Sequence, residues 1–409
     1  MVVRKIKPEE LKRTVEFYGI AFENSIDNTK SAMQFYQDTV KEPKTREDFY
    51  CLEKWAAFED DAHTMMSCLL AKPFSIFYDG NFCSMTGIGG VSTLPQYRRR
   101  GGIRACFSAA LPDMYENEVL FSFLYPFSTA YYRKFGYEIC CERFRYIIAL
   151  KSIPSFPVTG SCFLSEFKNN YLDDIKQVYE IWMNKYNLMV KNEDFEYAWL
   201  NEANPAASQD FTYVYKSQNG TPKGFMRFLV ETDTCEKRTL KCLRFLFTDV
   251  EGFQGLMNLA KSFSSDHEAI QFELPSDLNI IPLLPEWSSG AGTCEKIIHG
   301  MVRVIHVKKV LERSIYLGSG NLCIQISDPV IDENNQCFSV HFKDNKAMNV
   351  SITDCDPDIS MTINDFSRLI VGTCDDRDFT FMESIQIHKE SKHISKVFYR
   401  KPNMIVEYF

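Results

Sequence analysis

The chain has 409 residues, 45% of them hydrophobic and 14% aromatic, which exceeds one ordinary core and supplies two or three packed domains. That composition excludes a disordered or low-complexity protein. Lys and Arg total 46 against 54 Asp and Glu, a formal charge of −8, which speaks against nucleic acid as the main partner and suits a cationic one.

The first residues, MVVRKIKPEELKR, hold no apolar signal-peptide core, and no later stretch reaches the length of a membrane span. A cytoplasmic protein with no membrane partner is expected. The 14 cysteines include no CxxC pair, and the histidines show no ligand spacing with them. Reduced, buried thiols and no metal are therefore expected.

In chain order, Leu11, Val15, Tyr18 and Phe22 fall on one helical face after Pro8. Phe74 to Tyr78, then Asp79-Gly80, then an apolar run to Leu94, predict a β-hairpin. A basic, glycine-containing loop follows. Beyond it Ile103, Cys106, Phe107, Ala110, Leu111 and Met114 repeat at helical spacing. Val119 to Leu124 is nearly all apolar, as a strand covered on both faces should be. A short helical piece, Ser128 to Lys134, leads through Gly136 into a further long strand ending near Leu150. Ile153 to Gly160, with two prolines, reads as a linker. After it come a helix around Tyr171 to Lys185, a hairpin at Asn219-Gly220, a strand Lys241 to Thr248, a helix after Glu251 and a strand Ala269 to Leu274. Strand, loop, helix, strand is the order already met from Met85 to Leu124, so the architecture is read as duplicated. Pro275 to Gly292 forms the next boundary. The remainder alternates strands with helices such as Ile363 to Val371 and ends on a strand-like NMIVEYF.

The most informative segment runs from Val91 to Ile103, VSTLPQYRRRGGI. A strand enters a basic loop and a helix starts directly after it. Free amides and the positive end of the helix dipole attract an anion there. Gly101 and Gly102 allow close backbone approach, and Arg98, Arg99 and Arg100 offer charge-assisted hydrogen bonds. A solvated charge cluster is the plainer alternative, but cations are unfavourable at that end of a helix unless an anion sits between. The chemistry suits a pyrophosphate such as that of coenzyme A.

Arg98, Gly101 and Ile103 resemble motif A of the GNAT acetyltransferases, with Ile103 in place of the usual small third residue. VSTLPQYRRRG together with YPFSTAYYRKFGYE is similar to the Eis (enhanced intracellular survival) family along the whole chain. That resemblance implies a mixed α/β chain of two tandem GNAT-like domains followed by a domain similar to sterol carrier protein. The expected boundaries are 1–150, binding acetyl-CoA; 151–295, degenerate; and 296–409, carrying GMVRVIHVKKVL and MTINDFSRLIVG. It also implies that Val91 and Thr93 pair with the pantetheine arm, that residues 98–103 hold the pyrophosphate, and that Ser128 lies near the cofactor.

Acetyl transfer to an amine needs a neutral nucleophile, a stabilised oxyanion and an acid for the departing thiolate. The resemblance gives the acid to Tyr132, in the pattern Y-x-[RK]-F-G-Y, with Tyr131 and Tyr137 as core. Within the first 150 residues the only histidine is His63, and the resemblance places the base at the C-terminal carboxylate, on Phe409. An apolar end is expected to be buried as a strand; the alternative is a final strand with its carboxylate in water. In the second domain the equivalent loop reads DVEGFQG from Asp249 to Gly255, and its carboxylates repel a pyrophosphate. Trp182 and Trp199 are candidate pocket walls, though buried aromatics are mostly core. The expected activity is acetyl-CoA-dependent N-acetylation of primary amines on an aminoglycoside-like small molecule. The competing readings are a protein lysine or N-terminal acetyltransferase, and a non-catalytic protein binding an apolar ligand. A homo-oligomer, a hexamer, is implied by the resemblance alone.

Overall fold

The computed structural model describes residues 1–22, 54–166, 168–192, 204–288 and 290–407. Within them two compact units form, the first from residues 1–140, 300–401 and 407, the second from residues 141–299 and 402–406. No helix among the described residues is long and apolar enough to cross a membrane.

The first unit begins with β1 (Val2–Lys5), α1 (Leu11–Ala21), β2 (Lys54–Phe58), β3 (Met65–Tyr78), β4 (Asn81–Thr93), α2 (Gly102–Glu116), β5 (Phe121–Leu124), α3 (Thr129–Arg133) and β6 (Glu138–Ile139). The β3–β4 hairpin turns on Asp79 and Gly80, at φ 45° and 84°, the doubly left-handed turn that matches strand twist. The parallel pair β4 and β5 needs a crossover, and α2 supplies it. Its face of Ile103, Cys106, Phe107, Ala110, Leu111 and Met114 is buried, as the spacing predicts. Phe22 lies beyond the end of α1 and is 51% exposed, so it does not extend the α1 face.

The long strand expected to reach Leu150 is two strands. Cys141 sits at φ 52°, a left-handed conformation that a strand cannot carry through, and the chain leaves β6 there. It continues as β7 (Arg143–Ala149) in the second unit, with β8 (Ser161–Leu164), α4 (Leu172–Lys185), α5 (Pro205–Ser208), β9 (Asp210–Lys216), β10 (Pro222–Thr232), β11 (Arg238–Phe247), α6 (Val250–Ser262), β12 (Ala269–Pro275) and β13 (Gly292–Ile297). The chain then re-enters the first unit with β14 (Met301–Val304), α7 (Val307–Arg313), β15 (Gly320–Ser327), β16 (Cys337–Lys343), β17 (Lys346–Ile352), β18 (Ile359–Thr362), α8 (Ile363–Ile370) and β19 (Gln386–Ile387).

The two large sheets have the same plan. The first runs β1-β2-β3-β4-β5-β14-β6 and the second β8-β9-β10-β11-β12-β7-β13. Each contains one parallel pair, β4 with β5 and β11 with β12, crossed over by α2 and α6. In each, the strand next to the parallel pair comes from the other stretch of chain: β14 returns from beyond residue 300, and β7 arrives directly after β6. The duplication read from element order thus includes an exchange of one strand each way. A smaller sheet, β17-β16-β15-β18-β19, belongs to the first unit. Its core side chains Leu322, Ile324, Ile326, Val340 and Phe342 are fully buried.

In the second unit His299 is 7% exposed beside Arg143, Arg145 and Arg244. Burial first, and then the three cations, pull its pKa down from 6.5 to about 2. The unfolded chain therefore binds a proton near pH 6.5 that the folded chain refuses, and folding stability falls as pH drops below 6.5. The slope contributed is up to about 1.4 kcal/mol per pH unit. Denaturant titrations from pH 7 to 4.5 are expected to show a shallower loss for His299→Gln than for the wild type. Parallel losses would assign the acid sensitivity to other groups.

Candidate active site

Beyond the pair Ile88 and Leu124, β4 runs on to Thr93 while β5 stops. A bulge opens at this point, where Leu70 faces Gly89 but Cys68 faces Ser92, with Gly90 at φ 54°. Bulges turn and twist a strand, so Gly89 to Thr93 leave the β5 register. The chain then makes a short 3-10 turn at Pro95–Tyr97 and passes through Arg99 at φ 65°. At the N-cap of α2 stands Gly101, at φ 84°, with no side chain to cap the first turn. Among the described residues nothing lies within 4 Å of where a Cβ at Gly101 would be, so they leave the opening ahead of these amides clear.

A cavity of about 440 Å³ occupies that opening. Its wall is Thr93 of β4, Tyr97, Arg99 and Arg100 of the loop, residues 101–104 of the helix start, and Tyr131, Lys134 and Phe135 from α3 and beyond. Among the described residues no ion pair engages Arg99, Arg104 or Lys134. Arg100 reaches Glu59 only at 3.7 Å and lies over the Tyr97 ring at 5.2 Å. Uncapped amides, a positive helix end and three cations with no ion pair among the described residues converge on one void, an arrangement whose chemistry suits a phosphate-bearing group.

The candidate residues divide between this wall and its surroundings. Thr93, Arg99, Arg100, Gly101, Gly102 and Ile103 line the cavity. Arg98 is exposed outside it, its amide donating to the Pro95 carbonyl at 3.3 Å. Val91 is half-buried and packs on the core behind α2. Ser128 caps α3, its hydroxyl accepting the Tyr131 amide at 3.4 Å, an N-cap role typical of serine. Arg104 and Lys134 escaped the sequence reading. Arg104 lies on the first helical turn beyond the RRRGG run, and Lys134 joins the cavity only through the fold. Tyr131, expected as core, also lines the cavity.

Tyr132 is 2% exposed and sits among the rings of Phe127 and Tyr131 at 5.3 Å, Phe107 at 6.1 Å and Tyr137 at 6.4 Å. Burial raises its pKa, with smaller contributions from Tyr131 and Tyr137, so it stays a neutral phenol able to donate. Its hydroxyl makes no hydrogen bond among the described residues. Tyr137, by contrast, shares a 2.7 Å hydrogen bond with Ser122 and is core.

The comparisons with known proteins agree with this geometry. Residues 2–140 match the acetyltransferase (GNAT) domain and residues 307–405 the sterol carrier protein domain. The first part of the chain is a GNAT acetyltransferase domain. No curated protein sequence matches the chain. Among solved structures it resembles a probable N-acyltransferase from Enterococcus faecalis V583 (TM-score 0.83, 18% identity, 100% of this chain and 99% of that one). It also resembles a GCN5-related N-acetyltransferase from Anabaena variabilis (0.83, 17%, 100% of both). Eis1 from Mycobacterium abscessus is similar as well (0.76, 16%, 100% of both). At these identities the likeness is one of fold: tandem GNAT domains followed by a sterol-carrier-like domain. The protein is an enzyme of the GNAT acyltransferase class, and the fold implies acyl-CoA binding.

The second GNAT-like sheet carries a different helix start. Asp249 caps α6, accepting the Gly252 amide at 3.0 Å, and Lys223 pairs with it at 2.6 Å. Burial opposes ionisation of Asp249, but Lys223 and the backbone amides outweigh it and hold the pKa low. The protein's own carboxylate takes the amides that an external anion would use. Glu251 accepts the Tyr215 hydroxyl at 3.1 Å. Trp182 is 3% exposed and donates to the Phe247 carbonyl at 2.8 Å, so it is core. Trp199 lies outside the described residues.

At the C-terminus, Met404, Ile405 and Val406 are buried, but they form no strand; only Asn403 makes a bridge, to Asn187. The Tyr125 hydroxyl, one residue past β5, donates to the Glu407 carbonyl. Phe409 lies outside the described residues.

Proposed function

We propose that the chain transfers the acetyl group of acetyl-CoA to a primary amine of a cationic small molecule, as an Eis-type N-acetyltransferase. The observation that carries the donor half is the cation-lined cavity at the uncapped start of α2. Thr93 and Val91 would run beside the pantetheine arm, and residues 99–104 with Lys134 would hold the phosphates. The donor supplies the activated acyl carbon. Tyr132 gives a proton to the departing sulfur, and the Phe409 carboxylate takes one from the acceptor ammonium. The net acidic composition and the motif resemblance to the Eis family support a polyamine of aminoglycoside type as acceptor.

One assay tests both halves. Thiol release from acetyl-CoA is followed across aminoglycosides, simple polyamines and lysine peptides, alongside calorimetric titration with acetyl-CoA. Turnover with small amines is the expected result, and turnover with peptides alone would replace this acceptor class. Arg99→Ala with Arg104→Ala is expected to weaken acetyl-CoA binding by roughly 1.5–3 kcal/mol per lost contact, while Arg98→Ala changes it little. Undiminished binding in the double variant would move the donor elsewhere.

A further inference from the structure

We infer that the chain beyond residue 300 positions the acid of the transfer site, with Asn364 of the sterol-carrier-like domain and Arg303 of β14 holding the loop that follows Tyr132. The inference rests on the assignment of Tyr132 above. Helix α3 is short, and its last carbonyls need partners from outside it. The Phe135 and Gly136 amides supply the Tyr132 and Arg133 carbonyls at 2.9 and 3.1 Å, and the C-terminal stretch of chain adds a second set. The Asn364 amide, on the second residue of α8, donates to the Arg133 carbonyl at 3.0 Å and to the Tyr137 carbonyl at 2.9 Å. One side chain thus ties the end of α3 to the start of β6 across the Lys134–Gly136 turn.

Arg303 of β14 clamps the middle of the same turn. It is fully buried, donates to the Phe135 carbonyl at 2.9 Å, and pairs with both oxygens of Asp328 at 2.9 and 2.8 Å. Asp328 is held in turn by the amides of Val330 and Ile331 and by Asn334. A Cβ at Gly136 would lie 1.8 Å from an Arg303 nitrogen and 2.8 Å from Ile363, and Gly136 has φ 84°. The glycine of the Y-x-[RK]-F-G-Y pattern is therefore required by the guanidinium seated on it.

Two polar clamps on three alternate carbonyls, those of Arg133, Phe135 and Tyr137, reinforce the turn's own backbone hydrogen bonds. A buried, ion-paired arginine is more than packing needs, because an apolar side chain would fill the space without desolvating a charge. What the arrangement secures is the direction of α3 and of the Tyr132 side chain on it. Small displacements of a reacting group are costly, up to about 10²-fold for about 1 Å.

Arg303 variants strand Asp328 as a buried unpaired charge and are expected to unfold, so Asn364, which is only half-buried, carries the test. Asn364→Ala, and the isosteric Asn364→Asp that puts an acceptor in place of the donor facing two carbonyls, are assayed with acetyl-CoA and an aminoglycoside. Expected is a kcat loss of about tenfold or more, with the acetyl-CoA KM and the thermal midpoint near wild type. Made in a Tyr132→Phe background, the same substitutions should cost nothing further. Normal kcat in both single variants, or an equal loss with and without the Tyr132 hydroxyl, overturns the inference. A fully active Tyr132→Phe enzyme instead removes the acid assignment, which is a separate and recognisable failure.

Discussion

Tyr132→Phe is expected to lower kcat by roughly 10²–10⁴-fold, the usual contribution of a positioned general acid. The ring is packed against Phe107, Phe127 and Tyr131, and Phe keeps all of that area, so thermal stability should hold. Because burial raises the Tyr132 pKa, the hydroxyl stays protonated through the neutral range, and no rate loss on the alkaline limb below pH 10 should trace to it. Acetyl-CoA affinity should be unchanged, since Tyr132 is not part of the cavity wall. Loss confined to kcat separates a missing proton donor from a missing binding contact. If kcat stays within a factor of two or so of wild type, Tyr132 is a core tyrosine and the departing thiolate takes its proton from water.

The second large effect concerns the chain end. Amidating the Phe409 carboxylate by semisynthesis, or appending a few residues after it, is expected to reduce acetyl transfer at least about 10²-fold with acetyl-CoA binding retained. An α-carboxyl has an ordinary pKa of about 3.3–3.7 and is ionised at neutral pH, so it can accept a proton from an ammonium and attract a cationic acceptor. Of the preceding residues, Met404, Ile405 and Val406 are buried, and the Tyr125 hydroxyl donates to the Glu407 carbonyl. Amidation alters charge and little else. Normal turnover by the amidated enzyme would place the base on another group.

How much of this was legible in the sequence varies with the range of the interaction. The Asp79-Gly80 turn and the buried face of α2 were read correctly because turn chemistry and helical spacing are local properties. The void at the start of α2 was only partly readable. RRRGG named the loop, but Arg98 turns outward while Arg104 and Lys134 turn in, and those directions depend on the left-handed kinks at Arg99 and Gly101. The partner of MVRV was not readable at all. Four apolar residues fit any buried strand position, and its insertion between β5 and β6 is decided by pairing across more than 150 residues. The Asn364 and Arg303 contacts share that long range, so no spacing rule points to them.

The strand exchange also sets a timetable for synthesis. The first large sheet is interrupted between β5 and β6 until β14 arrives, and β14 follows the whole second sheet in the chain. At ordinary elongation rates the β5 edge stays open for on the order of ten to thirty seconds while the intervening residues are made. An open edge of buried, apolar strand is a template for the wrong neighbour. The nascent N-terminal domain is therefore open to mispairing for longer than its own length suggests. A chain released early, at the end of the GNAT match, would leave the ribosome with its central sheet still missing a strand.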